Sequence, residues 1–277
     1  MSLQESYLIT FLGCAGGAET MGDQVAGAGG ILFTFEGTQL HLDPGPGSGI
    51  LAARAKVNLR ATNVLLVSSN LLHACNDVNL MIDAMTYSGF DKTGLLLCAK
   101  SVVERTEHER PYVTKFHKKA VQKYVGLSVP EEVKINDLVI QTLPCHCPDD
   151  PTAVGFKIRT KEFILVYSGD TIYDDTVVDS YRGAQILILQ HRYPFALDAT
   201  HRTKALASED VVRIIEKVRP SFVILTGFGT KLMLANPLYE AREIQRLTNV
   251  PVLAAREGLA LAPISLLHTL QQNQQLW

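Results

Sequence analysis

The sequence has little charge, few aromatic residues and no long uninterrupted apolar stretch. Charged residues make up 19% of the 277 positions and the formal net charge is −2, so the charge balance predicts no nucleic-acid or membrane surface. No apolar run is long enough to span a bilayer. The opening residues MSLQESYLITF lack a basic segment before an apolar one, and we therefore expect no signal peptide.

Cysteine is also scarce, and its number is odd. The five cysteines are Cys14, Cys75, Cys98, Cys145 and Cys147. An odd number in a chain of this length favours reduced thiols and a cytoplasmic location. Cys145 and Cys147 are separated by one residue, which is too short for the usual zinc-binding pair. We interpret the cysteines near candidate site residues as small buried side chains, with a thiolate ligand or redox role as the alternative.

Hydrophobic residues make up 47% of the chain, enough to bury a sizeable core. Short β-branched runs alternate with helical patterns, and the run Ala153–Tyr167 reads as a hairpin. Two strand-rich halves, each followed by helices, favour an α/β, four-layer αββα sandwich over a doubly wound sheet. No repeat or low-complexity tract marks a boundary, so we predict one domain over residues 1–277. The segment Glu104–Lys119 is polar and is interpreted as a surface excursion.

The most informative stretch follows the apolar strand Val64–Val67. Residues Ser68–Asp77 (SSNLLHACND) come next and lead into a helical pattern. This arrangement resembles metallo-β-lactamase-fold hydrolases, in which a strand is followed by Thr-His-x-His-x-Asp-His and a helix. In that alignment the four metal ligands of the motif fall on Ser69, Leu71, His73 and Ala74.

Other motifs of the ribonuclease Z and arylsulfatase-like branch follow in the same order. Residues Leu40–Gly47 resemble a strand end with the pattern LLDxGxG, and Asp43 takes the position of its aspartate. Pro144-Cys145-His146 resembles the single-histidine motif. Residues Tyr167–Thr171 match YSGDT, whose aspartate, here Asp170, bridges the two metals. Residues Ile224–Gly229 resemble ILTHFG with Gly227 in place of histidine. The resemblance extends over roughly residues 7–260 and implies the αββα fold.

The resemblance implies that most metal ligands are missing. The first metal site would have Ser69, Leu71, His146 and Asp170, and the second would have His73, Ala74, Asp170 and Gly227. Leucine, alanine and glycine side chains have no donor atoms, so we expect no tightly bound dinuclear centre. A pocket surrounded by Asp43, His73, His146 and Asp170 is expected to remain, with room where the imidazoles of positions 74 and 227 would lie.

Two functional hypotheses follow from this ligand count. The first is a degenerate member of the fold that lacks hydrolytic activity and acts in binding, regulation or assembly. The alternative is a hydrolase of phosphodiesters or other esters that uses one zinc, manganese or iron ion. In that case His73, His146 and Asp170 would hold the metal, and Asp170 or Asp43 would orient the water. The catalytic candidates are therefore Asp43, His73, His146 and Asp170.

Two further histidines have weaker indications. His191 ends an apolar strand and is followed by Arg192, so the two could bind an anion in the same cleft, although a strand-end histidine is more often an ordinary polar cap. His201 precedes Ser208-Glu209-Asp210, which resembles the HLSxED loop of the family. For partners, we expect an unidentified small molecule or protein, no membrane and no nucleic acid. The fold is also compatible with a homo-oligomer, although no interface is indicated.

Overall fold

The computed structural model describes residues 6–105, 110–195 and 204–274. The prediction for His201 lies outside these residues, as does part of the excursion Glu104–Lys119. The strands are β1 Tyr7–Phe11, β2 Ile31–Phe35, β3 Thr38–Leu42, β4 Thr62–Val67, β5 Thr93–Ala99, β6 Val121–Leu127, β7 Glu132–Ile135, β8 Leu138–Pro144, β9 Val154–Arg159, β10 Ile164–Tyr167, β11 Ile186–Tyr193, β12 Leu206–Ala207, β13 Phe222–Thr226, β14 Val252–Ala254 and β15 Leu259–Leu261.

Short helices and a few longer ones connect these strands. The helices are α1 Ala18–Gly22, α2 Ser48–Arg54, α3 Leu72–Cys75, α4 Val78–Thr86, α5 Lys100–Val103, α6 Lys115–Ala120, α7 Asp175–Ser180, α8 Ser208–Val218, α9 Thr230–Ala235, α10 Pro237–Thr248 and α11 Pro263–Gln274, with a 3₁₀ turn at Leu59–Ala61. Among the described residues, no helix combines the length and the apolar character needed to cross a membrane.

The strands form two mixed sheets. The first has the order β15-β1-β2-β3-β4-β5-β6, and the second has the order β14-β13-β11-β10-β9-β8-β7 with β12 paired to β11. Strands β3 to β6 are parallel neighbours in the first sheet, and β10, β11, β13 and β14 are parallel neighbours in the second. The loops after the parallel strands therefore leave from the strands' carboxyl ends, where ligand sites of α/β sheets are usually formed.

Alternate residues of β4 show how the layers pack. Val64 and Leu66 belong to the core between the sheets, whereas Leu65 and Val67 face the core beneath α4. A strand covered on both faces needs a continuous apolar run, which explains the sequence VLLV. Helices α8 and α10 pack on the second sheet through residues such as Ile214 and Ile244. The predicted αββα sandwich is thus confirmed.

Several elements were not predicted from the sequence. These are β6, β7, β12, β15, the short helices α1, α3, α5, α6, α7 and α9, and the C-terminal helix α11. Strand β11 also continues to Tyr193, two residues beyond the strand end expected at His191. The N-cap of helix α8 is Ala207, and the Asp210 carboxylate accepts a hydrogen bond from the Ala207 N–H.

Candidate functional site

The candidate site lies where β3, β4, β10, β11 and β13 end. Asp43 follows β3, and its backbone has a φ of 49°, in the left-handed region that aspartate tolerates better than most residues. Its carboxylate accepts hydrogen bonds from the Ser68 N–H and hydroxyl, both at 2.7 Å, and from the Tyr167 hydroxyl at 2.5 Å. Burial raises the pKa of Asp43, and these hydrogen bonds oppose that rise. Asp43 therefore ties the ends of β3, β4 and β10 together.

Asp170 follows β10 and is almost fully buried. One carboxylate oxygen, Oδ2, accepts a hydrogen bond from Nη2 of Arg192 at 2.7 Å. The same oxygen lies 3.2 Å from Nε2 of His73, an ion-pair distance whose geometry does not make a hydrogen bond. Burial alone would raise the pKa of Asp170, but the charge and hydrogen bond of Arg192, together with the nearby His73, lower it to about 2. Asp170 is therefore an ionised carboxylate that forms a buried ion pair with Arg192.

His146 is not brought into this pair. Its side chain is 57% exposed, and Nδ1 lies 3.6 Å from Oδ2 of Asp174. Only its backbone is tied to the loop of Asp170, because its N–H donates to Oγ1 of Thr171 at 3.0 Å. Of the three proposed ligands, His73 and Asp170 are therefore neighbours. His146 instead lies beside the carboxylate of Asp174.

The four positions at which the resemblance implies a lost ligand have distinct surroundings. Ser69 is fully buried, and its hydroxyl accepts the Leu71 N–H at 3.4 Å. Leu71 is half-buried at the start of α3, and Ala74 is buried within that helix. At Gly227, with a φ of 69°, a Cβ atom would lie 1.4 Å from Oε1 of Gln190. The expectation of free space at position 227 is therefore wrong, because Gln190 fills it.

Gln190 and Arg192 both come from the extended end of β11. Nε2 of Gln190 donates to the Tyr167 hydroxyl at 2.5 Å, which joins Gln190 to the hydrogen bonds of Asp43. Sequence reasoning did not single out Gln190, and it paired Arg192 with His191 as an anion site. A usable signal was present, since polar residues directly after a buried parallel strand lie at the edge where sites form.

His191 points away from this site. It is fully buried, and Nε2 lies 2.9 Å from the Ser208 hydroxyl and 3.0 Å from the Tyr193 carbonyl. Ser208 in turn donates to Glu240 at 2.5 Å. The prediction that His191 and Arg192 share an anion site in the cleft is thus not met, because neighbouring residues of a strand face opposite sides of the sheet.

Asp150 is a further residue that the sequence reading missed. Its carboxylate accepts hydrogen bonds from the Asn70 N–H at 2.9 Å and the Ser101 hydroxyl at 2.8 Å, and Thr152 donates to it twice. It thereby fixes the loop that carries Ser69 and Leu71. An aspartate two residues before threonine is typical of an Asx turn, and that local signal was available in Asp150-Pro151-Thr152.

The cysteines near the site behave as buried thiols. Cys145 donates to the Asp170 carbonyl, and Cys75 donates to the Asn70 carbonyl. Burial raises the pKa of both thiols, and it raises the pKa of Cys147 to about 11. A thiolate ligand or nucleophile requires a lowered pKa, so this environment favours the structural interpretation.

The residues present do not suit a pair of metal ions. Within residues 6–105, 110–195 and 204–274, no group of three or more His, Cys, Asp or Glu side chains is placed to hold a metal. Arg192 already balances the charge of Asp170, and the cavity left beside Asp43, His73 and Gln190 measures about 20 Å³. A single water requires roughly 10–15 Å³ of such space. The donor set and the remaining space thus disagree with a dinuclear centre.

Two fully buried histidines should make the protein less stable in mild acid. Burial lowers the pKa of His41 and His191 to about 4, from the value of 6.5 that is usual for histidine. Between these values the unfolded chain binds more protons, so the stability present above pH 6.5 is lost as the pH falls toward 4. The free energy of unfolding, measured with urea at several pH values, should show this loss. His191→Gln should reduce the slope of that free energy against pH. An unchanged slope, equal to that of the exposed-site control His268→Gln, would contradict this assignment.

Comparisons with known proteins agree with the architecture. No protein-family model matches the sequence. An uncharacterized protein of Methanocaldococcus jannaschii is 28% identical over 255 residues, which cover 91% of this chain and 93% of that protein.

Three solved structures are similar to the chain over 92% of its length. The metallo-β-lactamase fold protein YhfI from Bacillus subtilis has a TM-score of 0.74, 17% identity and 98% of its chain covered. Zinc-bound PqqB from Methylobacterium extorquens has a TM-score of 0.69, 12% identity and 99% coverage. The short form of human tRNase Z has a TM-score of 0.64, 13% identity and 98% coverage. Together with the two sheets and their flanking helices, these similarities establish that the chain has the metallo-β-lactamase fold.

Proposed function

We propose that this protein is a non-hydrolytic representative of its fold that serves a binding or regulatory role. The observation that carries the proposal is the Arg192–Asp170 pair, with Nη2 and Oδ2 at 2.7 Å. In the resembled hydrolases, the aspartate at this position bridges two metals. Here a guanidinium supplies the positive charge that this buried carboxylate needs, and arginine stays protonated at any physiological pH.

The neighbouring side chains support the same proposal. Gln190 lies against Gly227, and its amide also bonds to Tyr167, so the missing histidine position is filled by a polar side chain. Asp43 keeps its hydrogen bonds to Ser68 and Tyr167. Hydrolysis in the resembled enzymes depends on a metal-activated water, and we find no serine, histidine and acid arrangement that would substitute for it among the described residues. Ser208 does contact a histidine, His191, and an acid, Glu240. However, Ser208 is completely buried, so a substrate cannot reach it.

One observation favours a second candidate, a hydrolase with a single metal ion. His73 and Asp170 are neighbours at 3.2 Å, and a mononuclear site needs only one more protein ligand. His146 would have to leave Asp174 and turn toward them, and Arg192 would have to release Asp170. The competition of Arg192 for the carboxylate makes this candidate the weaker one.

A phosphodiesterase assay separates the two candidates. The protein, incubated with zinc, manganese or iron, is given bis(p-nitrophenyl) phosphate with and without a chelator. We expect no chelator-sensitive release of nitrophenol, and the same background rate for Asp170→Ala. Turnover that a chelator abolishes, and that His146→Ala or Asp170→Ala also removes, would overturn the proposal in favour of the mononuclear hydrolase.

A further inference from the structure

A second, larger cavity lies outside the site described above. It has a volume of about 480 Å³ and opens between the loop after β13, helices α9 and α10, and strands β14 and β15. It shares no lining residue with the small cavity beside Asp43 and His73. Small-molecule sites in proteins typically measure roughly 300–1,000 Å³, so this cavity is large enough for a ligand.

The walls of this cavity are mainly apolar. Phe228, Met233, Leu253 and Leu259 contribute side chains from four different elements. Leu238 also lines it and remains 49% exposed. Nearby on the same helix pair, Leu234 is 80% exposed and Tyr239 is 67% exposed. An apolar cavity lined by helices that also carry exposed apolar side chains indicates a surface that binds something apolar.

The polar side chains of the cavity can donate hydrogen bonds, and none of them is acidic. Arg256 is exposed, and its guanidinium makes no hydrogen bond or ion pair with the described residues. Oδ1 of Asn236 accepts the Leu238 N–H at 3.1 Å, which leaves the amide nitrogen as a donor. Burial raises the pKa of the Cys14 thiol to about 11, so the thiol stays neutral. An anionic acceptor complements such a set.

The neighbouring acid does not cancel the charge of Arg256. Glu257 follows it in sequence, but its Oε1 lies 3.6 Å from Nη1 of Arg54. Arg256 thus has no acidic partner among the described residues, although the charge of Glu257 also reaches Cys14 on the cavity wall.

From this geometry we propose that the cavity binds a small molecule with an apolar body and a single carboxylate. The apolar part lies among Phe228, Met233 and Leu253. The carboxylate accepts hydrogen bonds from Arg256 and from the amide nitrogen of Asn236. This inference does not depend on what Asp170 binds, so it stands or falls separately from the proposed loss of hydrolysis.

Isothermal titration calorimetry of the full chain with dodecanoate tests the proposal. Dodecanol is the uncharged ligand of equal chain length. Both ligands are used at concentrations below those at which they aggregate. We expect one saturable site for dodecanoate and weaker binding of dodecanol. Arg256→Gln should weaken dodecanoate about tenfold, because a hydrogen bond to a charged group is lost. Arg246→Gln is the matched control, since Arg246 is an exposed arginine of α10 that pairs with Glu243, and it should leave binding unchanged.

Filling the cavity provides the independent variant. Ala254→Phe should abolish the binding of both ligands while the unfolding midpoint stays near that of the unaltered protein, and Met233→Trp is used if the first variant does not fold. The proposal is overturned if dodecanoate shows no saturable site. It is equally overturned if the filled variant binds as well as the parent, or if Arg256→Gln leaves dodecanoate no weaker.

Discussion

Replacing Arg192 with methionine should lower the free energy of unfolding by about 3–5 kcal/mol, the usual cost of removing one partner of a buried ion pair. The side chains of Arg192 and Asp170 are only 13% and 6% exposed, so water cannot replace the guanidinium. Nε2 of His73 lies 3.2 Å from that oxygen but makes no hydrogen bond to it. Urea unfolding followed by circular dichroism measures the change.

Two further variants make this expectation specific. Arg182→Met removes an arginine from an exposed pair with Asp179 and should change the unfolding free energy little, because surface pairs contribute little. Combining Arg192→Met with Asp170→Asn should recover much of the lost stability, since no charge is then left buried. If Arg192→Met is as stable as Arg182→Met, Asp170 does not depend on Arg192 and the proposed replacement of a metal by arginine fails.

Restoring the missing ligands should not by itself restore metal binding. A variant with Ser69→His, Leu71→His, His73→Asp, Ala74→His and Gly227→His supplies the donor atoms of the resembled enzymes. However, a side chain at position 227 would overlap Gln190, with Cβ and Oε1 only 1.4 Å apart. Arg192 would still hold Asp170. We therefore expect far less than one equivalent of zinc after desalting.

Adding Gln190→Ala and Arg192→Ser to that variant should change the outcome. These two substitutions empty the space at position 227 and free the carboxylate of Asp170, and we expect about two equivalents of zinc, as in two-metal sites. Far-ultraviolet circular dichroism of both variants serves as the folding control. Equal zinc content in the two variants would show that neither Gln190 nor Arg192 excludes the metal.

The contrast between the predicted and observed fold has a simple physical origin. Long buried strands such as β4 were predictable because both faces are covered and the sequence is uniformly apolar. Strands β6 and β7 carry exposed residues such as Lys123 and Lys134, so their sequences resemble surface loops. Strand β15 has only three residues and exists through its pairing with β1, a contact that no local pattern reveals.

The same limit applies to the site. Motif spacing located Asp43, His73 and Asp170 because each follows a recognisable strand, and the structure brings these three to one edge. It could not place the side chain of His146, which turns to Asp174. Nor could it show which residue fills the space at Gly227, since Gln190 is 37 positions away in a different strand. Side-chain direction and space filling depend on packing between strands, and a single sequence does not encode these in a local pattern.

Metal content distinguishes a carboxylate paired with arginine from a metal centre at Asp170. Protein purified without chelator is exposed to zinc, manganese and iron in turn, desalted and analysed by elemental mass spectrometry. We expect well under one equivalent of every metal, because Arg192 pairs with Asp170 and Gln190 fills the space beside Gly227. One equivalent or more, lost on Asp170→Ala or His146→Ala, would instead establish a metal centre at this edge of the sheets.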